Sequence, residues 1–415
     1  VYDLTEFQKI HPGGISRLRM SAGRDVTVLL ETTHDHSVLE VLRRYRVGSL
    51  RVAEHPIFNQ PNEFALTLRR RVKEHFKTTG QDPKYSPDIL IRCLVPIFGI
   101  GGCYYLLYWN STVRLSTIKT LITMVVWSWS YFAFTTYWVH DASHASLTHN
   151  PRVWDAMGTV YNFVMGFSDI VWFHRHVLGH HPYTNVQGVD PDISVEPFSI
   201  TRFLPSQKWS PIYSIQHIYA PILYSLLTHF SKLQDILACL RQSTDMIPIN
   251  PLSRSQLFVF WAGKVFFFTY RCLLPIIFSP SSTARVISTF LFSEIMLSWI
   301  AAFVFESNHV VGDVLWVQPP KEGNFTIDWV QMQIETAQDY GHGSWITTFL
   351  TGSLNYQVVH HVFPQINQKY YPEIADIVRS TCREFGIKYR VRDSFFQALG
   401  DHLLLLKRMG LDKKP

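Results

Sequence analysis

Residues 121–144 read LITMVVWSWSYFAFTTYWVHDASH. From Leu121 to Val139 there are 19 residues without a formal charge, and the polar group His140-Asp141-Ala142-Ser143-His144 follows at once. A helix rises about 1.5 Å per residue, so such a run crosses most of the roughly 30 Å hydrocarbon layer of a bilayer. Residues four apart share a helix face, so His140 and His144 point to one place where the run leaves the lipid. One stretch therefore predicts both a membrane span and a pair of ligand-type side chains at its end.

Three other runs extend the pattern: Cys93–Trp109, Leu257–Phe278 and Val286–Phe305. Lys264 and Arg271 weaken the third span in chain order, and Glu294 interrupts the fourth. The stretches 156–173 and 218–230 are apolar but mixed with polar residues, and are expected to be interfacial or re-entrant. Residues 1–50 read as a small separate domain. The charged run Arg69-Arg70-Arg71-Val72-Lys73-Glu74 reads as a solvated linking helix.

Composition agrees with this division. The 415-residue chain is 47% hydrophobic and 17% charged, against about 25% charged for a soluble domain. Its mean hydropathy of +0.03 fits polar segments averaged with membrane spans. A net charge of +6, without a long basic run, suits anionic headgroups and gives nucleic-acid binding little support. The five cysteines are scattered, as in a reducing compartment. The sequence opens on Val1, which is expected to lie inside a domain.

The 19 histidines are the distinctive feature. Besides His140 and His144 there are His174-Arg-His176-Val-Leu-Gly-His180-His181 and Gln357-Val-Val-His360-His361. Helical spacing predicts that His176 points with His180, and Gln357 with His360 and His361. No span separates the first two clusters and two separate the second from the third, so parity puts all three on one side. The short loops 110–120 and 279–285 hold few cations, which assigns the clusters to the cytosolic side. His309, just after the fourth span, is a further candidate ligand. His149, His217, His229, His342 and His402 read as ordinary structural histidines. Asp141 reads equally as an acceptor for a ligand imidazole or a helix-end residue, and Val189-Asp190-Pro191-Asp192 reads as a turn.

Imidazole suits zinc, copper, iron and nickel. A zinc hydrolase needs three protein ligands, often with HExxH, and this set has too many ligands and no such motif. Two metal ions fit better than one. Iron that activates dioxygen suits a buried apolar setting with an electron source. Near the N-terminus, His11-Pro12-Gly13-Gly14 is followed by His34, with His36 close by. Two such histidines can clamp a haem iron, although HPGG can equally be a turn.

The string VYDLTEFQKIHPGG…AGRDVT…H…YRVGSL resembles a cytochrome b5 domain, which the family extends by a strand and helix before VYDL. His11 matches its first axial ligand and His34 the second, with His36 as the alternative. The three boxes resemble those of membrane fatty-acid desaturases. Gln357 opening the third box is the mark of the front-end group, which carries a fused cytochrome b5 domain. HVLGHHPYTNVQGVDPDI, SNHVVGDV, ETAQDYGHGSW and TGSLNYQVVHHVFP are most similar to fungal and protist delta-5 desaturases.

The resemblance implies a mainly α fold: four transmembrane helices, a cytosolic helical cap and a small α+β haem domain. The expected divisions are 1–50 for the haem domain, 51–89 for the linker, 90–305 for the spans with two boxes, and 306–415 for the cap with the third. It implies desaturation near the carboxyl end of a polyunsaturated acyl chain, on CoA or phospholipid, in the endoplasmic reticulum membrane. Two irons would be held by His140, His144, His176, His180, His181, His360 and His361 with His309, and Gln357 would complete or orient the third box. Dioxygen is the oxidant. NADH supplies electrons through cytochrome b5 reductase to haem b between His11 and His34. Delta-6, delta-8 or delta-4 desaturation (sphingolipid included), hydroxylation on the same scaffold, and a membrane-anchored electron carrier are the alternatives.

Overall fold

The apolar runs become long helices. The computed structural model describes residues 1–34, 38–50, 57–110, 116–193, 200–244, 246–321 and 323–413. His36 and the expected boundary at 50/51 lie outside or at the edge of these residues. Near the N-terminus lie helices α1 (Ile15–Ser21) and α2 (Thr27–Thr33), followed by α3 (Glu63–Thr79). Then come α4 (Ile89–Trp109), α5 (Thr117–Phe134), α6 (Pro151–Met165), α7 (Asp169–Trp172) and α8 (Leu227–Arg241). Helices α9 (Arg254–Phe278) and α10 (Thr283–His309) complete the apolar set.

Among the described residues, three helices, α4, α9 and α10, are long and apolar enough to cross a membrane. The other expected span, Leu121–Val139, is helical throughout, because α5 runs on through the π-helical turns Thr135–His140. Its Trp127-Ser128-Trp129-Ser130-Tyr131 and Thr135-Thr136-Tyr137 segments make it less apolar than the rest. Those polar groups face protein: Ser128 donates to the Ser293 carbonyl of α10 at 3.0 Å, and Tyr137 to Phe349 at 2.7 Å. The charges that weakened α9 as a span are also paired. Lys264 reaches Asp235 of α8 at 3.1 Å, and Arg271 reaches Glu294 of α10 at 3.1 Å. Lys232 of α8 completes the set on Glu294 at 2.7 Å. Buried charge is tolerated when so paired.

The polar cap packs on the box-bearing ends. It comprises α11 (Trp329–Glu335), α12 (Gln357–Val362), α13 (Tyr371–Glu384) and α14 (Phe395–Leu411). Two short parallel strands, β1 (Asp339–Tyr340) and β2 (Val391–Arg392), tie it together. The expectation of a solvated linker at 69–74 needs correction. Helix α3 buries Phe64, Ala65, Leu68, Val72 and Phe76 against the cap, and Arg71 pairs with Glu384 at 2.6 Å. Its period of three and four hides an apolar stripe beneath the charges.

Close packing is set by small residues. A Cβ on Gly263 of α9 would lie 2.8 Å from the Asn162 carbonyl oxygen of α6, so the two backbones touch. Gly352, at φ +63° in the turn before α12, leaves no space for a Cβ beside Thr136. An alanine there costs roughly 1 kcal/mol for left-handed backbone alone, before the overlap is relieved. Gly352→Ala is therefore expected to lower the thermal unfolding midpoint in detergent by several degrees, and an unchanged midpoint would contradict this packing.

Candidate metal centre

The first box starts on the last residue of the π-helical turn Thr135–His140, and the second lies in the π-helical turn Phe173–His180, which runs on from α7. A π turn closes with a bond from residue i+5 to residue i. That register brings His181, whose N–H donates to the His176 carbonyl at 3.0 Å, back over His176. The third box is carried by α12, and His309 ends α10.

Eight buried histidines meet as two adjoining sets. His140, His144, His176 and His360 gather their ring nitrogens at one point, and His180, His309 and His361 at the other. His181 lies between, sharing a group with His360 and His361. The helical pairing expected from spacing needs correction at two boxes. His176 and His180 go to different sets, and His360 and His361 divide between the two larger sets while both meet His181, with Gln357 on the His361 side. Adjacent side chains on a tight turn diverge enough to serve two centres. His140 and His144 stay together as expected.

The spacing of these nitrogens suits ligands of a common ion. His140 Nε2 lies 3.0 Å from His360 Nε2, which lies 3.1 Å from His181 Nε2, and His181 Nε2 lies 3.2 Å from His176 Nε2. Ligands about 2.0–2.1 Å from one metal at right angles stand about 3 Å apart. His144 Nε2 is buried with no hydrogen-bond partner. Burial first, and neighbouring imidazoles second, hold His144, His176, His181, His360 and His361 well below the usual histidine range. They are neutral, the form that binds a metal.

On His361, His360, His309 and His180 the opposite ring nitrogen is tied to the scaffold, which aims Nε2 inward. His361 Nδ1 meets Gln333 Oε1 at 2.9 Å and Thr184 Oγ1 at 3.1 Å. His360 Nδ1 meets the Tyr371 hydroxyl at 3.1 Å, and His309 Nδ1 the Thr336 carbonyl at 3.3 Å. His180 Nδ1 meets Asp190 at 3.1 Å, and Asp190 also accepts the backbone N–H groups of Asn185 and Asp192. Burial opposes charge on His180, but Asp190 and Asp192 overcome it and push the imidazole up to about 9. The segment 189–192 is thus a turn that also orients a box histidine, which its turn-like composition concealed. Asp141 lies 3.5 Å from His140 Nδ1 and accepts from Gln368 Nε2 at 2.6 Å, as a weak aligner.

Gln357 sits 2.9 Å from His309 Nε2 and 3.1 Å from His361 Nε2. Its Oε1 accepts from Asn308 Nδ2, which is itself anchored on the Leu354 carbonyl. The amide nitrogen therefore faces the imidazoles. His174 turns away, with Nδ1 on the Ile170 carbonyl. His149 pairs with Asp82, His342 with Asp339, and His402 with the Val310 carbonyl.

In the N-terminal unit the His11 and His34 rings are 6.0 Å apart between centroids. Two imidazoles bound through Nε2 to opposite sides of one iron, each at about 2 Å, stand about 6 Å apart. Their Nδ1 atoms lie near the Gly14 and Leu30 carbonyls at 3.1 and 3.3 Å, which leaves both Nε2 atoms for a metal. A Cβ on Gly13 would come within 2.7 Å of the His11 ring, which accounts for glycine there. Both metal-type sets fit their residues.

Comparison with known proteins gives the same two parts. The family model described as "Fatty acid desaturase" matches residues 115–393, and "Cytochrome b5-like Heme/Steroid binding domain" matches residues 1–51. The chain is 38% identical over its whole length to an acyl-lipid (8-3)-desaturase of Mortierella alpina, covering 93% of that protein. It is 36% identical over its whole length to Delta(5) fatty acid desaturase A of Dictyostelium discoideum, covering 91%. With the sn-1 linoleoyl-lipid 6-desaturase of Synechocystis it shares 27% over 86% of its length, covering 98%.

Asp190→Asn keeps the shape of the His180 partner and removes its charge. Loss of such a carboxylate costs about 10–100-fold in metal affinity. Chelator competition on the purified variant should show that loss with helix content unchanged, whereas wild-type retention of iron would refute the role given to Asp190.

Proposed function

The chain belongs to the fatty acid desaturase family, and on that premise we propose that it is a front-end desaturase placing a cis double bond at the delta-5 position of C20 polyunsaturated acyl chains. That it is an acyl-lipid oxidoreductase with a cytochrome b5-type haem domain follows from the family. The delta-5 position is supported by the Dictyostelium relative, a Delta(5) fatty acid desaturase, and by higher identity to it than to the 6-desaturase. Delta-6 chemistry is the second reading, favoured by the coverage of that same 6-desaturase.

The observation that carries the reading is the gathering of eight buried imidazoles into two adjoining sets. In this proposal His140, His144, His176 and His360 hold one iron, His180, His309 and His361 the other, and His181 stands between them. When bound, the irons supply with dioxygen the power to remove hydrogen from an unactivated methylene pair, which no side-chain base can do.

The chain's own residues position and exclude. Gln333, Thr184, Tyr371 and Asp190 fix the rings. Trp172 stacks on His176 at 4.6 Å and, with the cap above, keeps bulk water from the centre. Gln357, whose Oε1 is committed to Asn308, offers an N–H toward the His309 and His361 side and acts as a positioning donor. His11 and His34 hold the haem, which receives electrons from NADH through cytochrome b5 reductase. The site and the haem domain face the cytosol from the endoplasmic reticulum membrane, as the loop charges suggest. The acyl chain is carried by CoA or phospholipid.

Expression in a host lacking such activity, fed separately with C18, C20 and C22 polyunsaturated acids, tests the assignment by gas chromatography–mass spectrometry. A new bond at carbon 5 of a C20 acid is expected. A bond at carbon 6 or 8 would overturn the delta-5 reading, and an alcohol would indicate a hydroxylase. His180→Ala is expected to abolish product while the protein remains membrane-bound, and near-normal product would remove it from the ligand set.

A further inference from the structure

The N-terminal unit is seated on the catalytic body, and the contacts fall on the histidine boxes. Met20 of α1 is buried against Phe173 and Val177 of the second-box helix, with Leu29 of α2 packed beside them. The Arg17 guanidinium lies 4.6 Å over the Phe173 ring and donates from Nη2 to the Ala142 carbonyl at 3.0 Å. Ala142 stands between His140 and His144. Asn250, in the loop before α9, offers its amide to the Arg19 and Ala22 carbonyls that end α1. Arg24 donates to the Pro248 carbonyl and to Asn250 Oδ1.

Helix α2 faces both metal-type sets at once. Its Val28, Leu29 and Thr32 wall a crevice whose other wall includes His144 and His181. Its C-terminus leads straight into His34. The inner side of the N-terminal unit thus touches the boxes while carrying a haem-type histidine.

We infer that the haem domain delivers electrons from this docked position, and that Arg17 is the positioning residue that registers it on the first histidine box. The inference rests on the desaturase reading above and names its electron donor as this chain's own domain, held in place. The balance is simple. Dioxygen takes four electrons to become two waters, two from the C–H bonds that become the alkene and two from the haem. Two protons enter from solvent, and NADH re-reduces the haem through its reductase, one electron at a time. A docked donor presents its haem at a fixed distance, which a tethered one reaches only transiently.

Arg17→Ala in the full-length protein tests this, with Arg19→Ala as control. Among the described residues the Arg19 side chain bonds only Gln8, within the domain, and its replacement removes the same charge from the same helix. After reduction of the haem, its reoxidation on mixing with oxygen and acyl substrate is followed optically, beside haem content and midpoint potential. Loss of one hydrogen bond from a charged donor is expected to slow reoxidation about tenfold. Haem content and potential should not change, Arg19→Ala should match the wild type, and hydrogen exchange of residues 15–33 should rise only in Arg17→Ala. Reoxidation of Arg17→Ala at the wild-type rate, or equal slowing by both variants, would overturn the inference. Absence of any alkene from the wild type would instead overturn the desaturase reading, since hydrogen exchange reports the docked position without turnover.

Discussion

Eight buried imidazoles face one another across two points, and the inward nitrogens of His140, His360, His181 and His176 stand about 3 Å apart in sequence. Two neutral ring nitrogens at that distance can share one proton, but a crowd of them cannot all be satisfied that way. Buried polar atoms without partners cost free energy, so the arrangement is stable only if something electrophilic occupies the middle. The rest of the structure answers this constraint. Gln333, Thr184, Tyr371, Asp190 and the Thr336 carbonyl engage the far side of the rings, and all five residues are buried.

The same constraint explains the π turns and the buried charges among the long helices. An α-helix would send His176, His180 and His181 along one drifting stripe. The wider turn folds His181 over His176 and frees His180 for the neighbouring set. That segment rests on a buried polar base. Lys264 supplies part of it by donating to the Gly166 carbonyl at 3.0 Å while pairing with Asp235, which in turn accepts the Ser168 N–H at the start of α7. What reads in the sequence as a flaw in a membrane span is a strut beneath the second box.

The broad outline is legible in the sequence. Apolar runs marked α4, α9 and α10, and helical spacing joined His140 to His144. His309 could be picked out by its place at the end of an apolar run. Other features carry no local signal. The split of His360 from His361 depends on which way adjacent side chains diverge on α12, and the 189–192 turn concealed Asp190 as the partner of His180. The apolar stripe of α3 lay under a run of arginines. Helix α5 spends tryptophan, serine and tyrosine on neighbours that only the tertiary structure supplies, so its hydropathy understates how much of it is buried.

The central claim is that the histidine boxes form one centre of two ions. Metal analysis of the purified full-length protein, with haem iron determined separately from the pyridine haemochrome spectrum, tests it most directly. The account predicts two non-haem irons per chain. A reproducible single iron per chain in fully active protein, or none, would contradict it.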